Sequence, residues 1–263
     1  MAHSPETMAR LSVPNAKREA VCPEHGKYSS RQLSIKAWSR CPACVAEQAA
    51  AEAAAERKAQ VEAAERRHRA TLADARIPAR FIGRTFESFV ASEDAQRSAL
   101  CVTRDFAEQF EDNLGRGAGL ILSGMPGTGK SHLAAALLQH VMPRHPDVRY
   151  MTCLDLIRAV RDTWRRESER SETQVLAYLE RLDLLVIDEV GVQYGTDGEQ
   201  TVLFEVIDRR YREQRPLVLL TNQGREGLKK FCGDRSYDRL VETCRWVAFD
   251  WPSYRPTARR EAR

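Results

Sequence analysis

The chain has 263 residues, 43% of them hydrophobic and 30% charged, enough for one large domain with appendages and a real core. Lysine and arginine total 41 against 37 acidic residues, and the resulting net charge of +4 leans only mildly towards polyanions. No run approaches the roughly 18 apolar residues of a membrane span, and residues 1–20 lack the apolar stretch of a signal peptide, so a cytoplasmic protein is expected.

In chain order, residues 1–20 are polar and without periodicity and read as a flexible tail. Residues 21–45 carry Cys22-Pro-Glu-His25 and, fifteen residues on, Cys41-Pro-Ala-Cys44. Two close pairs across a loop close a tetrahedral site, and thiolate with imidazole suits Zn²⁺. Four protein ligands leave no open position, so a structural zinc is expected, stapling a segment too short to build a core. The other four of the seven cysteines (Cys101, Cys153, Cys232, Cys244) read as small hydrophobes. Residues 46–76 are mostly Ala, Glu, Arg and Gln without Gly or Pro, which predicts a helical spacer. It has no Leu or Ile heptad, and Ile77-Pro78 stops it.

From 77 to 255 short apolar strands alternate with amphipathic helices, predicting an α/β domain on a parallel sheet flanked by helices. Candidate strands are 119–123, 148–152, 184–187, 217–220 and 245–249, apolar enough to be covered on both faces. A basic tail closes the sequence over 256–263.

The strongest motif is Gly124-Met125-Pro126-Gly127-Thr128-Gly129-Lys130-Ser131, followed by His132 and a helical pattern to 141. Its glycines let successive N–H groups face a phosphate chain, and the helix N-terminus adds its positive dipole end. Lys130 is expected on the β- and γ-phosphates and the Ser131 hydroxyl on Mg²⁺, which makes ATP the expected ligand. Leu184 to Ile187 then lead into Asp188-Glu189. Asp188 reads as the Mg²⁺-holding acid and Glu189 as the general base for the attacking water. Leu217 to Leu220 end in Thr221-Asn222. Asn222 reads either as a contact to the γ-phosphate or lytic water, or as an ordinary turn residue.

These residues resemble the AAA+ module of DnaC-type helicase loaders. The likeness includes Ala75 to Phe81 with Phe86, Asp188 to Gln193, Asp208-Arg209-Arg210, Leu220-Thr221-Asn222, Gly233 to Leu240, and Phe249 to Arg255. It covers roughly 75–255, and transposase helpers of the IstB type share much of it. The resemblance implies an ATPase that binds a hexameric replicative helicase and single-stranded DNA. Within 235–239 it implies an arginine finger to a neighbouring subunit's ATP, assigned to Arg239, with Arg235 sensing phosphate nearby. Turnover would then require self-association. It also implies a DNA-facing helix over 154–170, where Arg158, Arg161, Arg165 and Arg166 accompany Trp164. That stripe reads equally as a solvated charged face. The zinc segment looks like the N-termini of prophage loaders, which grip the helicase. Its Lys27, Tyr28, Arg31, Lys36, Trp38 and Arg40 would suit nucleic acid as well. A transposition helper acting on duplex DNA is the main rival. A metabolic kinase is weaker, because Asp188-Glu189 supplies a water-activating acid and no acceptor pocket can be named.

Overall fold

A computed structural model describes residues 16–192 and 196–254, apart from the side chains of residues 67 and 68. Most of the tail, the segment 256–263, Gln193 and Arg255 lie outside the described residues. The chain divides into two compact units, 1–67 and 68–263.

In the first unit β1 (Lys17–Cys22) and β2 (Gly26–Arg31) pair antiparallel, with Cys22 opposite Gly26. β1 thus starts inside the stretch expected to be tail. Ser30 donates to the Ser39 carbonyl at 2.8 Å, and the Arg31 N–H donates to the Ser39 hydroxyl at 2.8 Å. These bonds fold the loop back on β2 and bring Cys41 to the hairpin turn. Helix α1 (Pro42–Ala75) follows, with Pro42 at its first position, where a missing N–H costs nothing. It begins within the zinc segment, so Cys44 sits in its first turn. Among the described residues of this unit only Cys22, Ser30 and Cys41 are buried.

The second unit holds a five-stranded parallel sheet in the order β4-β5-β6-β3-β7. Its strands are β3 (Gly119–Gly124), β4 (Val148–Thr152), β5 (Leu184–Val190), β6 (Leu217–Thr221) and β7 (Cys244–Phe249). Strict alternation along them builds two cores. Leu120, Leu122, Leu184, Val186, Val218 and Leu220 face one side. There they meet α2 (Asp94–Glu108), α4 (Lys130–Val141) and the end of α1, which contributes Ala75. Ile121, Leu185, Ile187, Leu217 and Leu219 face the other. They are covered by α5 (Cys153–Arg161), α6 (Glu172–Arg181), α7 (Asp197–Arg212), α8 (Arg225–Cys232) and α9 (Asp234–Thr243). Between α2 and β3 lies the short α3 (Phe110–Arg116). The expected fold class is the observed one.

The helix expected over 154–170 is a correction. α5 stops at Arg161, a single 3-10 turn covers Asp162–Trp164, and the chain then bends. From Arg165 to Ser171 no apolar residue is available to bury, so tertiary packing offers a helix nothing. Ser171 then caps α6 in a reciprocal box with Gln174, fixing a new start. Arg158 and Arg161 therefore lie on α5, while Arg165 and Arg166 lie in the bend. No helix among the described residues is long and apolar enough to cross a membrane.

Candidate functional site

The carboxyl ends of β3, β5 and β6 are neighbours in the sheet, and the predicted phosphate site forms there. β3 runs into the loop 124–129, which passes directly into α4. Glycine is required where the loop begins and ends. A Cβ on Gly124 would stand 2.3 Å from the Phe249 carbonyl oxygen. Gly129 has φ +99°, and a Cβ there would meet the Phe89 ring at 2.6 Å. The Thr128 hydroxyl donates to the Met125 carbonyl at 2.8 Å and closes the loop on itself. Lys130 is 7% exposed, and its Nζ donates to the carbonyls of Gly124 at 2.6 Å and Met125 at 2.9 Å.

The Ser131 hydroxyl donates to Asp188 Oδ2 at 2.8 Å. The buried Tyr150 hydroxyl donates to the same oxygen, and the Glu189 N–H reaches Oδ1 at 2.7 Å. Burial, then the Asp188 charge, push the Tyr150 phenol upward, so it stays a proton donor. A hydroxyl and a carboxylate oxygen held side by side fit the Mg²⁺ pair read from the sequence.

Glu189 has φ +59°, a left-handed backbone rare outside glycine. It falls where the β5–β6 register shifts between Ile187 and Val190, and its side chain is exposed. Local strain at the expected base takes it out of the ladder. Thr221 donates to the Val190 carbonyl at 2.7 Å, and exposed Asn222 follows directly on β6, between the other two strand ends. Gln223 ties those ends together, accepting from Ser123 at 2.8 Å and donating to the Gly191 carbonyl at 3.2 Å.

Three sequence-derived residues are placed elsewhere. The His132 imidazole is taken up by the lead-in segment, with Nε2 2.9 Å from the Thr85 carbonyl and 3.1 Å from the Ser88 hydroxyl. Its ring meets Phe89 edge-on at 5.4 Å, and burial lowers its basicity. Only the His132 backbone remains for a nucleotide. Arg235 and Arg239 lie one turn apart on α9, which packs on α7. Arg235 is exposed. Arg239 pairs with Asp208 at 2.5 Å, its guanidinium 5.3 Å from both the Phe204 and Tyr211 rings. Among the described residues neither arginine has a hydrogen bond or ion pair to 124–131. Of the basic stripe, Arg165 pairs with Asp162 at 3.2 Å, and Trp164 is 59% exposed with its indole N–H on Glu172 at 2.7 Å.

In the first unit the ligand atoms of Cys22, His25, Cys41 and Cys44 all lie within 4.8 Å of one another. Cys22 and Cys44 sulfurs are 3.4 Å apart, and His25 Nδ1 is 3.3 Å from Cys44 Sγ and 3.8 Å from Cys22 Sγ. Tetrahedral zinc with bonds near 2.3 Å to sulfur and 2.0–2.1 Å to nitrogen would set these separations at about 3.6–3.8 Å. His25 Nε2 sits 2.9 Å from Glu47, the carboxylate partner that orients a metal-bound imidazole. The backbone N–H of His25, first among several donors, draws the Cys22 thiol down to about 6, while the hydrogen bond to Cys22 pushes the Cys44 thiol up to about 12, so the two sulfurs share a proton that a metal would displace.

Tyr150, Phe89, Gln223 and Trp251 were not singled out from the sequence as site residues. Trp251 donates its indole N–H to the Thr128 carbonyl at 3.0 Å. Of these four, Trp251 alone lies in a stretch that carries the family resemblance, Phe249 to Arg255.

The fold and the paired acid and P-loop strands, with β6 between them, define a P-loop ATPase of the AAA+ class. The chain belongs to the family of IstB-like ATP binding proteins, which matches residues 35–262. It is 40% identical over 172 residues to the replicative helicase loader DnaC of Escherichia coli strain K12, covering 65% of this chain and 69% of that protein. To the DnaC of Buchnera aphidicola subsp. Schizaphis graminum it is 34% identical, over 66% of this chain and 70% of the relative. A crystal structure of the DnaC helicase loader superposes with TM-score 0.58 at 22% identity, over 65% of this chain and 98% of that one. That last likeness speaks for the fold.

Proposed function

We propose that this protein is an ATP-driven helicase loader that binds a hexameric replicative helicase and delivers it to single-stranded DNA. The observation that carries this is the Ser131–Asp188 contact at the mouth of a complete P-loop, in a chain 40% identical to a replicative helicase loader. The N–H groups of 124–131 would cradle the phosphates, and Lys130 would exchange its two loop carbonyls for β- and γ-phosphate oxygens. Ser131 and Asp188 would hold Mg²⁺, which neutralises phosphate charge there. Glu189 takes the proton of the attacking water, and Asn222 orients that water from the adjoining strand end. Arg239 leaves Asp208 when a second subunit docks and reaches the neighbour's γ-phosphate, with Arg235 beside it, so turnover follows assembly. Cys22, His25, Cys41 and Cys44 hold a structural zinc, and that segment docks on the helicase in the cytoplasm. Exposed Trp164 with Arg158, Arg161, Arg165 and Arg166 offers DNA a stacking ring beside cations.

The test is to mix the protein with the hexameric replicative helicase of the same cell, with and without ATP, and read complex mass by native mass spectrometry. A discrete helicase–loader complex is expected. No complex, together with ATP-dependent binding to duplex DNA, would overturn the reading in favour of a transposition helper.

A further inference from the structure

The phosphate loop is held from outside by the chain beyond β7. The register of β3 with β7 sets Gly124 opposite Phe249, so β7 ends beside the start of the loop. Two residues later Trp251, 5% exposed, lies 4.8 Å from the Phe249 ring and donates Nε1–H to the Thr128 carbonyl at 3.0 Å. Three residues further, the Tyr254 backbone N–H donates to the Gly127 carbonyl at 2.9 Å.

These two bonds act on consecutive peptide units of the cradle. A trans peptide is planar, with its C=O and N–H pointing in opposite directions. Fixing the Gly127 carbonyl on Tyr254 turns the Thr128 N–H to the opposite side of the loop. Fixing the Thr128 carbonyl on Trp251 does the same for the Gly129 N–H. Those are two of the amides that a phosphate chain must find aimed at it. Without outside acceptors or donors, a loop with glycines at 127 and 129 (φ +84° and +99°) has many alternative peptide orientations. Each would have to be given up on binding, at a cost in affinity.

We propose that Trp251 and the Tyr254 N–H form a latch that preorients the Thr128 and Gly129 amides for the nucleotide, making Trp251 a positioning residue. This rests on reading 124–131 as a phosphate cradle. The latch is built into the free protein and acts before any phosphate arrives. It therefore contributes equally to triphosphate and diphosphate binding and leaves the chemical step alone.

The test uses the full chain and the dissociation constants of a fluorescent non-hydrolysable ATP analogue and fluorescent ADP, read by anisotropy. Trp251→Phe keeps an aromatic ring against Phe249 and deletes the donor, and Tyr254→Pro deletes the other donor; Tyr254→Ala, which keeps that N–H, controls for the lost phenol ring and should bind as the parent does, leaving two donor-deleting variants. Each of these two is expected to weaken both nucleotides about 5-fold, the worth of one hydrogen bond. kcat at saturating ATP should stay unchanged, because the loss lies in binding, while the nucleotide-free unfolding midpoint falls slightly with the hydrogen bond lost from the free protein. A lowered midpoint with unchanged dissociation constants would overturn the latch and leave a packing role. Unchanged constants in both variants, while Lys130→Ala abolishes binding, would also overturn it and spare the cradle. Normal binding by Lys130→Ala would sink the cradle reading itself.

Discussion

Removing zinc should unfold the first unit and spare the second. The described part of that unit buries only Cys22, Ser30 and Cys41, so two of its three buried residues are the proposed ligands themselves. A two-stranded hairpin is marginal alone even with an apolar face, and β1–β2 shows an exposed Val21 and no large buried side chain. Structural zinc contributes about 10–16 kcal/mol to small fingers. That is comparable to the roughly 5–15 kcal/mol net stability of a whole domain, so loss of metal leaves little beyond the Ser30 and Arg31 bonds to Ser39 to keep Cys41 near the hairpin turn. Two perturbations are matched: Cys44→Ser, and a strong chelator added to the unaltered chain. The assay counts zinc released per chain with a colorimetric indicator. In parallel, amide hydrogen exchange is followed over 17–31 and over 119–124. One zinc per chain is expected, with protection lost over 17–31 and kept over 119–124, where the strand is buried between two cores. Retained protection over 17–31 after complete zinc release would refute the argument.

Three further outcomes follow from the nucleotide site. Glu189→Gln should bind ATP as the parent does and lose about 10²–10⁴-fold in turnover, measured by phosphate release; near-normal turnover would remove Glu189 as base. Arg239→Ala should stay folded, because Asp208 keeps Arg212 at 3.0 Å, yet lose assembly-dependent ATPase. Mixing it with Lys130→Ala should restore activity, since one variant supplies the site and the other the arginine; an inactive mixture counts against a finger acting in trans. Gly129→Ala carries an L side chain at φ +99° and a Cβ 2.6 Å from Phe89. Nucleotide affinity should fall at least about 10-fold, from left-handed backbone strain of roughly 1–2 kcal/mol plus overpacking. Phe89→Ala added to it should recover part of that loss and not all, because the backbone strain remains; full recovery would show that φ is irrelevant.

The chemistry of this protein is largely local in sequence. A glycine-rich loop between a strand and a helix, a strand ending in two acids, and a Cys-x2-His pair followed by a Cys-x2-Cys pair are recognisable because each function needs fixed residue types at fixed short spacing. The strands were legible for a similar reason: buried on both faces, they read as continuous apolar runs such as Leu184 to Ile187. What the sequence left open depended on register and on distant contacts. Tyr150 reaches Asp188 because Thr152 pairs with Asp188 across β4–β5, and residues two apart share a face. Trp251 reaches Thr128 across 123 positions because β7 lies beside β3. The end of α5 at Arg161 was hidden because charged residues are compatible with a helix, and only missing burial stops one. The arginine readings met the same limit: the family resemblance implied a finger at Arg239, while the pairing of Arg239 with Asp208 is made by α9 packing on α7. Motifs determine which reactive groups the chain carries; tertiary packing decides which peptide units and carboxylates are held still enough to use them, since orientation comes from partners that no local spacing encodes.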